Sequence, residues 1–304
     1  MTPLVADATT RPRFDLAVAG HLNLDHLIEV PDLPARDRTV PVRRRRTVLG
    51  GTAANLALAA SQWGVRSALI SRAGADLPRG FLTDLARRGV DVRGVEKVAG
   101  VASSACFIVH DAKGGQVTLI DQGAMDDAGR GAVPERVLRE CGWLHLGTGH
   151  PRWIARLEAW ARTHRLPVAV DPAQEIHYRW DADSLHGLLE GAEIFFGNES
   201  EVEEAVSLLK VGSADELTHL VPLVVMTRGR RGARAYFRGG RVDVPAARLA
   251  RVADPTGAGD AFRGGFYAGW FAGQPLERCL IAGQRSAYRW LMERARPSSR
   301  GSHR

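Results

Sequence analysis

The segment Asp254-Pro255-Thr256-Gly257-Ala258-Gly259-Asp260-Ala261-Phe262-Arg263-Gly264-Gly265-Phe266 concentrates more chemistry than any other stretch of the chain. Pro255 and Thr256 turn the backbone, and Gly257 and Gly259 allow angles that side chains forbid. A helix is expected to begin near Asp260, because Phe262, Phe266 and Trp270 recur at four-residue steps on one face. The amides of Gly257, Ala258 and Gly259 then crowd a helix N-terminus, where the dipole attracts anions. A carboxylate beside such amides suits removal of a proton from an alcohol while the amides hold a migrating phosphoryl group. The same aspartate also suits a helix cap, and the spacing alone leaves the two readings balanced.

Other phosphate-binding signatures are absent. A P-loop needs a lysine between Gly and Ser or Thr, and none of Lys97, Lys113 and Lys210 has that setting. A dinucleotide fingerprint starts at Gly257-Ala258-Gly259 but meets Phe262 where its third glycine belongs, with no βαβ unit after it. No GxSxG elbow and no HExxH helix occur.

The elements that must carry this segment read as alternating strands and helices. Strands are expected at Phe14–Gly20, Ser67–Gly74, Trp143–Gly147, Pro167–Asp171, Glu193–Gly197 and Leu223–Thr227. Helices are expected at Asn55–Trp63 (closed by Gly64), Phe81–Arg88, Glu135–Glu140, Trp153–His164, Glu199–Leu209, Asp260–Phe271 and Pro275–Arg294. Hairpins turn at Lys113-Gly114-Gly115 and Arg238-Gly239-Gly240. This alternation argues for a mostly parallel sheet covered on both faces. Residues 22–48 and 100–122 are strand-rich with few helices, as for a small antiparallel sheet forming a lid. The expected division is a core of 14–21, 49–99 and 123–296, a lid of 22–48 and 100–122, and flexible tails at 1–13 and 297–304.

Composition sets the outer bounds. The 304 residues are 45% hydrophobic and 25% charged, enough to fill a sizeable core. No apolar run reaches a membrane span, and Met1–Arg13 lacks the apolar stretch of a secretory leader. Cys106, Cys141 and Cys279 are scattered, which argues against a disulfide framework and for a cytoplasmic setting. The net charge of +7 comes mostly from dispersed arginine rather than a nucleic-acid-binding patch. Its one dense run, Arg43–Arg46, reads either as a solvated edge or as a local field for phosphorylated substrates.

Five motifs taken together resemble the ribokinase-like (PfkB) family of small-molecule kinases. They are Gly20-His21-Leu22-Asn23-Leu24-Asp25, Gly50-Gly51-Thr52-Ala53-Ala54-Asn55, Asn198-Glu199-Ser200-Glu201, Thr227-Arg228-Gly229 and the Asp254–Phe266 segment. They stand in family order and span about 14 to 295. The resemblance implies a three-layer α/β/α core with a β-sheet lid, and an ATP-dependent kinase acting on a hydroxymethyl group. It implies that Asp260 is the catalytic base and that Gly257, Ala258 and Gly259 form the anion hole. Asn23, Asp25, Gly51 and Asn55 would hold the acceptor. Thr227 and Gly229 would line the ATP site, and Asn198 and Glu201 would touch the phosphates and place Mg2+ through water. Asn198 and Glu201 also fit a capping box, and Asn55 also fits an N-cap. Relatives further imply K+ near Asp254 and Thr256, and pairing of two copies through the lid.

The acceptor stays open among nucleosides, free sugars and sugar phosphates. Thr52 stands where ribokinases carry lysine, and Gly149-His150-Pro151 where they carry a sugar-contacting glutamate. The match to nucleoside kinases of the same family is at least as good, with Leu22, Phe107 and Met125 as residues to pack on a base or simply as core. Ala282-Gly283-Gln284 replaces the family's adenine-side Asn-Ala. A catalytically dead nucleotide sensor would be expected to lose Asp260 or the glycine turn, and both are intact.

Overall fold

The computed structural model describes residues 11–246 and 256–295. Its elements are β1 (Leu16–Ala19), β2 (Asn23–Val30), β3 (Arg44–Gly50), α1 (Thr52–Gln62), β4 (Ser67–Gly74), α2 (Arg79–Arg87), β5 (Val90–Val98), β6 (Ala105–Asp111), β7 (Gln116–Asp121), α3 (Glu135–Leu138), β8 (Leu144–Leu146), α4 (Pro151–Thr163), β9 (Val168–Val170), α5 (Ala182–Glu190), β10 (Ile194–Asn198), α6 (Glu199–Leu209), β11 (Leu223–Thr227), β12 (Ala233–Phe237), β13 (Gly240–Val244), α7 (Ala258–Phe271) and α8 (Leu276–Ala295).

Among the described residues the strands form two sheets. The larger runs β13-β12-β11-β10-β9-β8-β1-β4-β5, parallel from β11 to β5 with an antiparallel edge made by β12 and β13. Its central strands are continuous apolar runs buried on both faces, as β1 (LAVA) shows. One face packs against α1, α7 and α8 around Leu56, Phe262, Phe266 and Leu280, and the other against α4, α5 and α6 around Trp153, Leu157, Leu185 and Val202. This is an α/β architecture with a mostly parallel sheet and helices on both sides, plus a small second sheet.

That second sheet has the order β3-β2-β6-β7, with β2 and β3 antiparallel, β2 and β6 parallel, and β6 and β7 antiparallel. It leaves the core directly after β1. The chain runs from β1 to β4 on one side and from β8 to β9 on the other, so the strand order reverses between β1 and β8. Ligands of open α/β sheets bind at such a reversal, beyond the carboxyl ends of the strands.

The structure departs from the sequence reading at several points. The sequence pattern does not predict β5. It is an edge strand with a register shift opposite Ala68–Ile70, and it carries Asp91, Arg93, Glu96 and Lys97, the charges that protect an edge but blur an apolar pattern. Helix α1 starts at Thr52, three residues before the expected Asn55, so Asn55 is not its N-cap. Helix α7 starts at Ala258 with Gly257 as its N-cap, so Asp260 lies inside the first turn. Leu22 and Met125 are fully buried and offer no surface to a base, whereas Phe107 is exposed and stacks on His26. Apart from residues 11–13, the expected tails lie outside the described residues, as does Asp254.

Candidate active site

Helix α7 is held against the core at very short range. A Cβ at Gly264 would stand 2.6 Å from Ala60 N of α1, so a larger residue there would push the two helices apart. This close approach brings the first turns of α1 and α7 together, and the Asn55 side-chain amide donates to Asp260 Oδ2 at 3.1 Å. Gly257 adopts φ 78° and packs on the Trp290 indole, whose Nε1–H donates to Thr256 O at 3.0 Å. Ala261 N bonds to Gly257 O, which leaves the amides of residues 257–260 in the first turn, where helix geometry supplies no internal acceptor. Among the described residues no side chain caps this helix. Asp260 therefore sits beside an anion-attracting helix end without serving as its cap.

Asp260 is 8% exposed. Burial pushes its carboxyl up to about 7, and the charges of Asp171 and Glu201 add to the rise. The Arg263 guanidinium and the Asn55 amide pull it back down. A carboxyl in that range changes charge near neutral pH, as proton transfer requires.

The second group of expected residues gathers at the root of β2. The β2–β3 register sets Asn23 opposite Gly50 and Asp25 opposite Val48. Gly50 packs on the Asp25 carboxylate so closely that a Cβ there would lie 1.9 Å from Oδ2. Gly51 turns into α1 with φ 97°, where a Cβ would meet His21 O at 2.3 Å. Asn23 Nδ2 donates to Cys106 Sγ at 3.3 Å, and its buried Oδ1 has no hydrogen-bond partner among the described residues. Burial, then the Asp25 charge, pushes the Cys106 thiol up to about 12 and keeps it neutral.

The third group lies further along the carboxyl edge of the large sheet. Asn198 and Thr227 are partners at the ends of β10 and β11. Asn198 and Glu201 do form a capping box: Glu201 N donates to Asn198 Oδ1 at 2.9 Å and Asn198 N to Glu201 Oε2 at 2.6 Å. Burial raises the Glu201 carboxyl above its ordinary value, and the Asp171 charge adds to this. Gly229, at φ 54°, opens the turn after β11 beside Arg228, which pairs with Asp243. Among the described residues no cluster of three or more His, Cys, Asp or Glu is arranged to hold a metal directly. An Mg2+ held chiefly by phosphate oxygens and water, with Glu201 in its outer sphere, is compatible with that arrangement. Of the two residues expected near a monovalent cation, Asp254 lies outside the described residues, and Thr256 O accepts the Trp290 indole hydrogen.

Sequence reasoning missed the side chains that join these groups. Thr52 and Thr148 hydroxyls lie 2.6 Å apart across the strand-order reversal. Thr148 in turn bonds His21 Nδ1 at 2.7 Å, and His21 Nε2 meets Gln122 Oε1 at 2.6 Å. Gln122 Nε2 donates to Glu175 Oε1 at 3.2 Å and to the exposed Tyr178 hydroxyl at 3.4 Å. Behind Asp260, Arg263 is buried against Asp171. A polar residue within two positions of the end of a buried strand is the available signal for Thr148 and Asp171, and an arginine among the apolar and small residues of α7 is the signal for Arg263.

Comparison with known proteins follows the same lines. The model of the pfkB family carbohydrate kinases matches residues 13–289. A cytidine kinase from Thermococcus kodakarensis is 31% identical over 273 residues, 88% of this chain and 93% of that protein. An ATP-dependent ribose-1-phosphate kinase from Halopiger xanaduensis is 30% identical over 269 residues, 86% of each. Among solved structures, the nucleoside kinase of Methanocaldococcus jannaschii superposes with a TM-score of 0.86 at 25% identity, covering 93% of both chains.

Proposed function

The chain belongs to the pfkB family of carbohydrate kinases and is an ATP-dependent phosphotransferase with an alcohol acceptor; from that premise we propose that the acceptor is the 5′-hydroxymethyl group of a nucleoside. The observation that carries the reading is the junction of Asn55 with Asp260 at the first turn of α7. Asp260 takes the proton of the acceptor hydroxyl, and the amides of Gly257, Ala258 and Gly259 hold the phosphoryl group as charge develops on it. Asn23 Oδ1, a buried acceptor without a partner among the described residues, takes a donor hydrogen from a ribose hydroxyl, with Asp25 and Gly51 beside it. Thr227 and Gly229 line the nucleotide side. Asn198 and Glu201 would hold Mg2+ through water, and that ion supplies neutralisation of the phosphate charge.

The smaller sheet acts as a lid that excludes water from the transfer. Its outer face carries the exposed apolar side chains Phe107, Val117 and Leu119, which supports pairing of two copies through the lid. The cytidine kinase and nucleoside kinase among the similar proteins, and the Thr52 and Gly149-His150 departures from ribokinases, favour a nucleoside over free ribose.

One observation favours a sugar phosphate instead. The β2–β3 register puts Arg44 and Arg46 on the same lid face as Asn23 and Asp25, where their cations would attract a phosphorylated acceptor. A coupled ADP-release assay across nucleosides, free sugars and sugar phosphates, with Mg2+ and with or without K+, separates the readings. Nucleosides are expected to lead in kcat/KM by at least about tenfold, a ratio that one or two additional contacts supply. A sugar phosphate in first place would overturn the nucleoside assignment in favour of the second reading.

A further inference from the structure

Arg263 is buried to 5% exposure in a helix that, apart from Asp260, faces the core with apolar and small residues. Helix packing does not need it. A buried ion pair is often replaceable by apolar side chains with no loss of stability, so its presence here calls for another explanation. Its guanidinium is gripped side-on by Asp171, one residue beyond β9: Nη2 donates to Oδ1 at 2.7 Å and Nε pairs with Oδ2. Asp171 is braced in turn from β8, where His145 Nε2 lies 3.7 Å from Oδ2 and His145 Nδ1 meets the Tyr267 hydroxyl at 2.8 Å. The free end of the fork, Nη1, stands 3.9 Å from Asp260 Oδ1.

Two points of geometry define what this fork does. Nη1 packs against Gly259, where a Cβ would come within 2.7 Å of it, so the guanidinium lies next to the expected anion hole. Asp260 is held on both sides, by the Asn55 amide on Oδ2 and by Arg263 facing Oδ1. We propose that Arg263, locked by Asp171, is a positioning residue that fixes the Asp260 carboxylate toward the acceptor hydroxyl. This rests on the reading of Asp260 as the base.

The groups facing Asp260 are Asn55 from α1, Arg263 on its own helix, Asp171 beyond β9 and Glu201 from α6. His145 acts on it through Asp171. Arg263 favours the ionised carboxylate, whereas Asp171 and Glu201 disfavour it. Burial opposes ionisation of Asp171 itself, but Arg263 and His145 outweigh it and hold that carboxyl below its ordinary value. Removing the arginine and removing its anchor should therefore move the pH profile in opposite directions.

The test compares Arg263→Met, Arg263→Lys, Asp171→Asn and Asp260→Asn, using kcat, both KM values and the pH dependence of kcat/KM. Arg263→Met is expected to lower kcat by about 30-fold or more with the acceptor KM nearly unchanged, and to move the acid limb upward by about one pH unit. Asp171→Asn is expected to lower kcat as well but to move the limb downward, because a negative neighbour is lost and the released guanidinium turns to Asp260. Arg263→Lys keeps the charge and loses the fork; it is expected to leave the limb nearly in place and to lower kcat about tenfold. If Arg263→Met does not fold, the lysine and Asp171→Asn variants decide the matter by the same split. Wild-type kcat and an unmoved limb in the folded variants, with Asp260→Asn inactive, would overturn the role of Arg263 alone. An active Asp260→Asn would overturn the base assignment, and this inference with it.

Discussion

The Asn55 side-chain amide reaches 3.1 Å to Asp260 Oδ2 and so joins the first turn of α1 to the first turn of α7 across 205 residues of sequence. Both residues lie at helix starts that are pulled together by the close α1–α7 contact at Gly264. The segment proposed to hold the acceptor and the segment proposed to hold the phosphoryl group are thereby one structural unit.

Asp260→Asn should test the chemistry most directly. The amide keeps the shape and still accepts from Asn55, but it takes no proton. Turnover is expected to fall at least about a thousandfold, with ATP affinity nearly unchanged in a binding titration. Retention of more than a few per cent of activity would remove Asp260 as the base.

The same carboxyl predicts a pH profile. Its value of about 7 is set first by burial, so the base is protonated below neutrality and ionised above it. With nucleoside varied, kcat/KM should fall about tenfold per pH unit on the acid side of 7 and level off above it. The stability consequence has the opposite sign. A carboxyl raised from 3.8 to about 7 in the fold contributes stability that is present at low pH and is lost as pH rises through 7. At pH 8 the Asp260→Asn protein should therefore melt above wild type, by about 2–5 °C, and the gap should close at pH 5. Equal melting temperatures at pH 8 would mean that the charge is not buried at a cost.

How far the sequence discloses this site depends on the kind of signal. Continuous apolar runs such as Leu16–Ala19 and Leu223–Val225 mark buried parallel strands, and helix α6 is legible to its ends because Asn198 and Glu201 form its capping box. β5 is not legible, since an edge strand mixes charge with valine. The start of α1 is misplaced because Gly51 at φ 97°, rather than a polar cap, begins the helix. Within the site, residues in compact motifs stand out, such as Gly257–Asp260. Thr148, Gln122, Asp171 and Arg263 do not, because the bonds of Thr148 and Gln122 to His21 and of Asp171 to Arg263 each cross 92 or more residues of sequence. Such pairings exist only once the sheet has brought the strand ends together.

Asn23 and Asp25 are expected to act on binding rather than on the chemical step. Both are buried on β2, Asn23 opposite Gly50 and Asp25 packed against it. Replacing either with alanine removes hydroxyl-binding groups, and the acceptor KM should rise about 10- to 100-fold with the ATP KM nearly constant. Initial-rate kinetics with nucleoside and ATP varied separately measure both values. An unchanged acceptor KM in both variants would take them out of the acceptor site.

The exposed face of the smaller sheet makes a prediction about assembly. In β6 and β7, Phe107 lies opposite Leu119 and Val109 opposite Val117, so these four side chains share one face of the sheet. Phe107, Val117 and Leu119 remain 36%, 46% and 59% exposed, and His26 of β2 extends the patch by stacking on Phe107 at 4.9 Å. A contiguous apolar face of this kind loses solvent contact most simply against its own copy, and a two-fold pairing would place like patches face to face. Light scattering after size-exclusion chromatography should give twice the 33.0 kDa chain mass for wild type. Leu119→Asp together with Val117→Asp should return it to one, because two carboxylates on each copy would be buried without partners. The change touches none of the residues assigned to proton transfer, so the monomeric variant should keep its fold by circular dichroism. A wild-type protein that stays at one chain mass at micromolar concentration would show that the face does not pair.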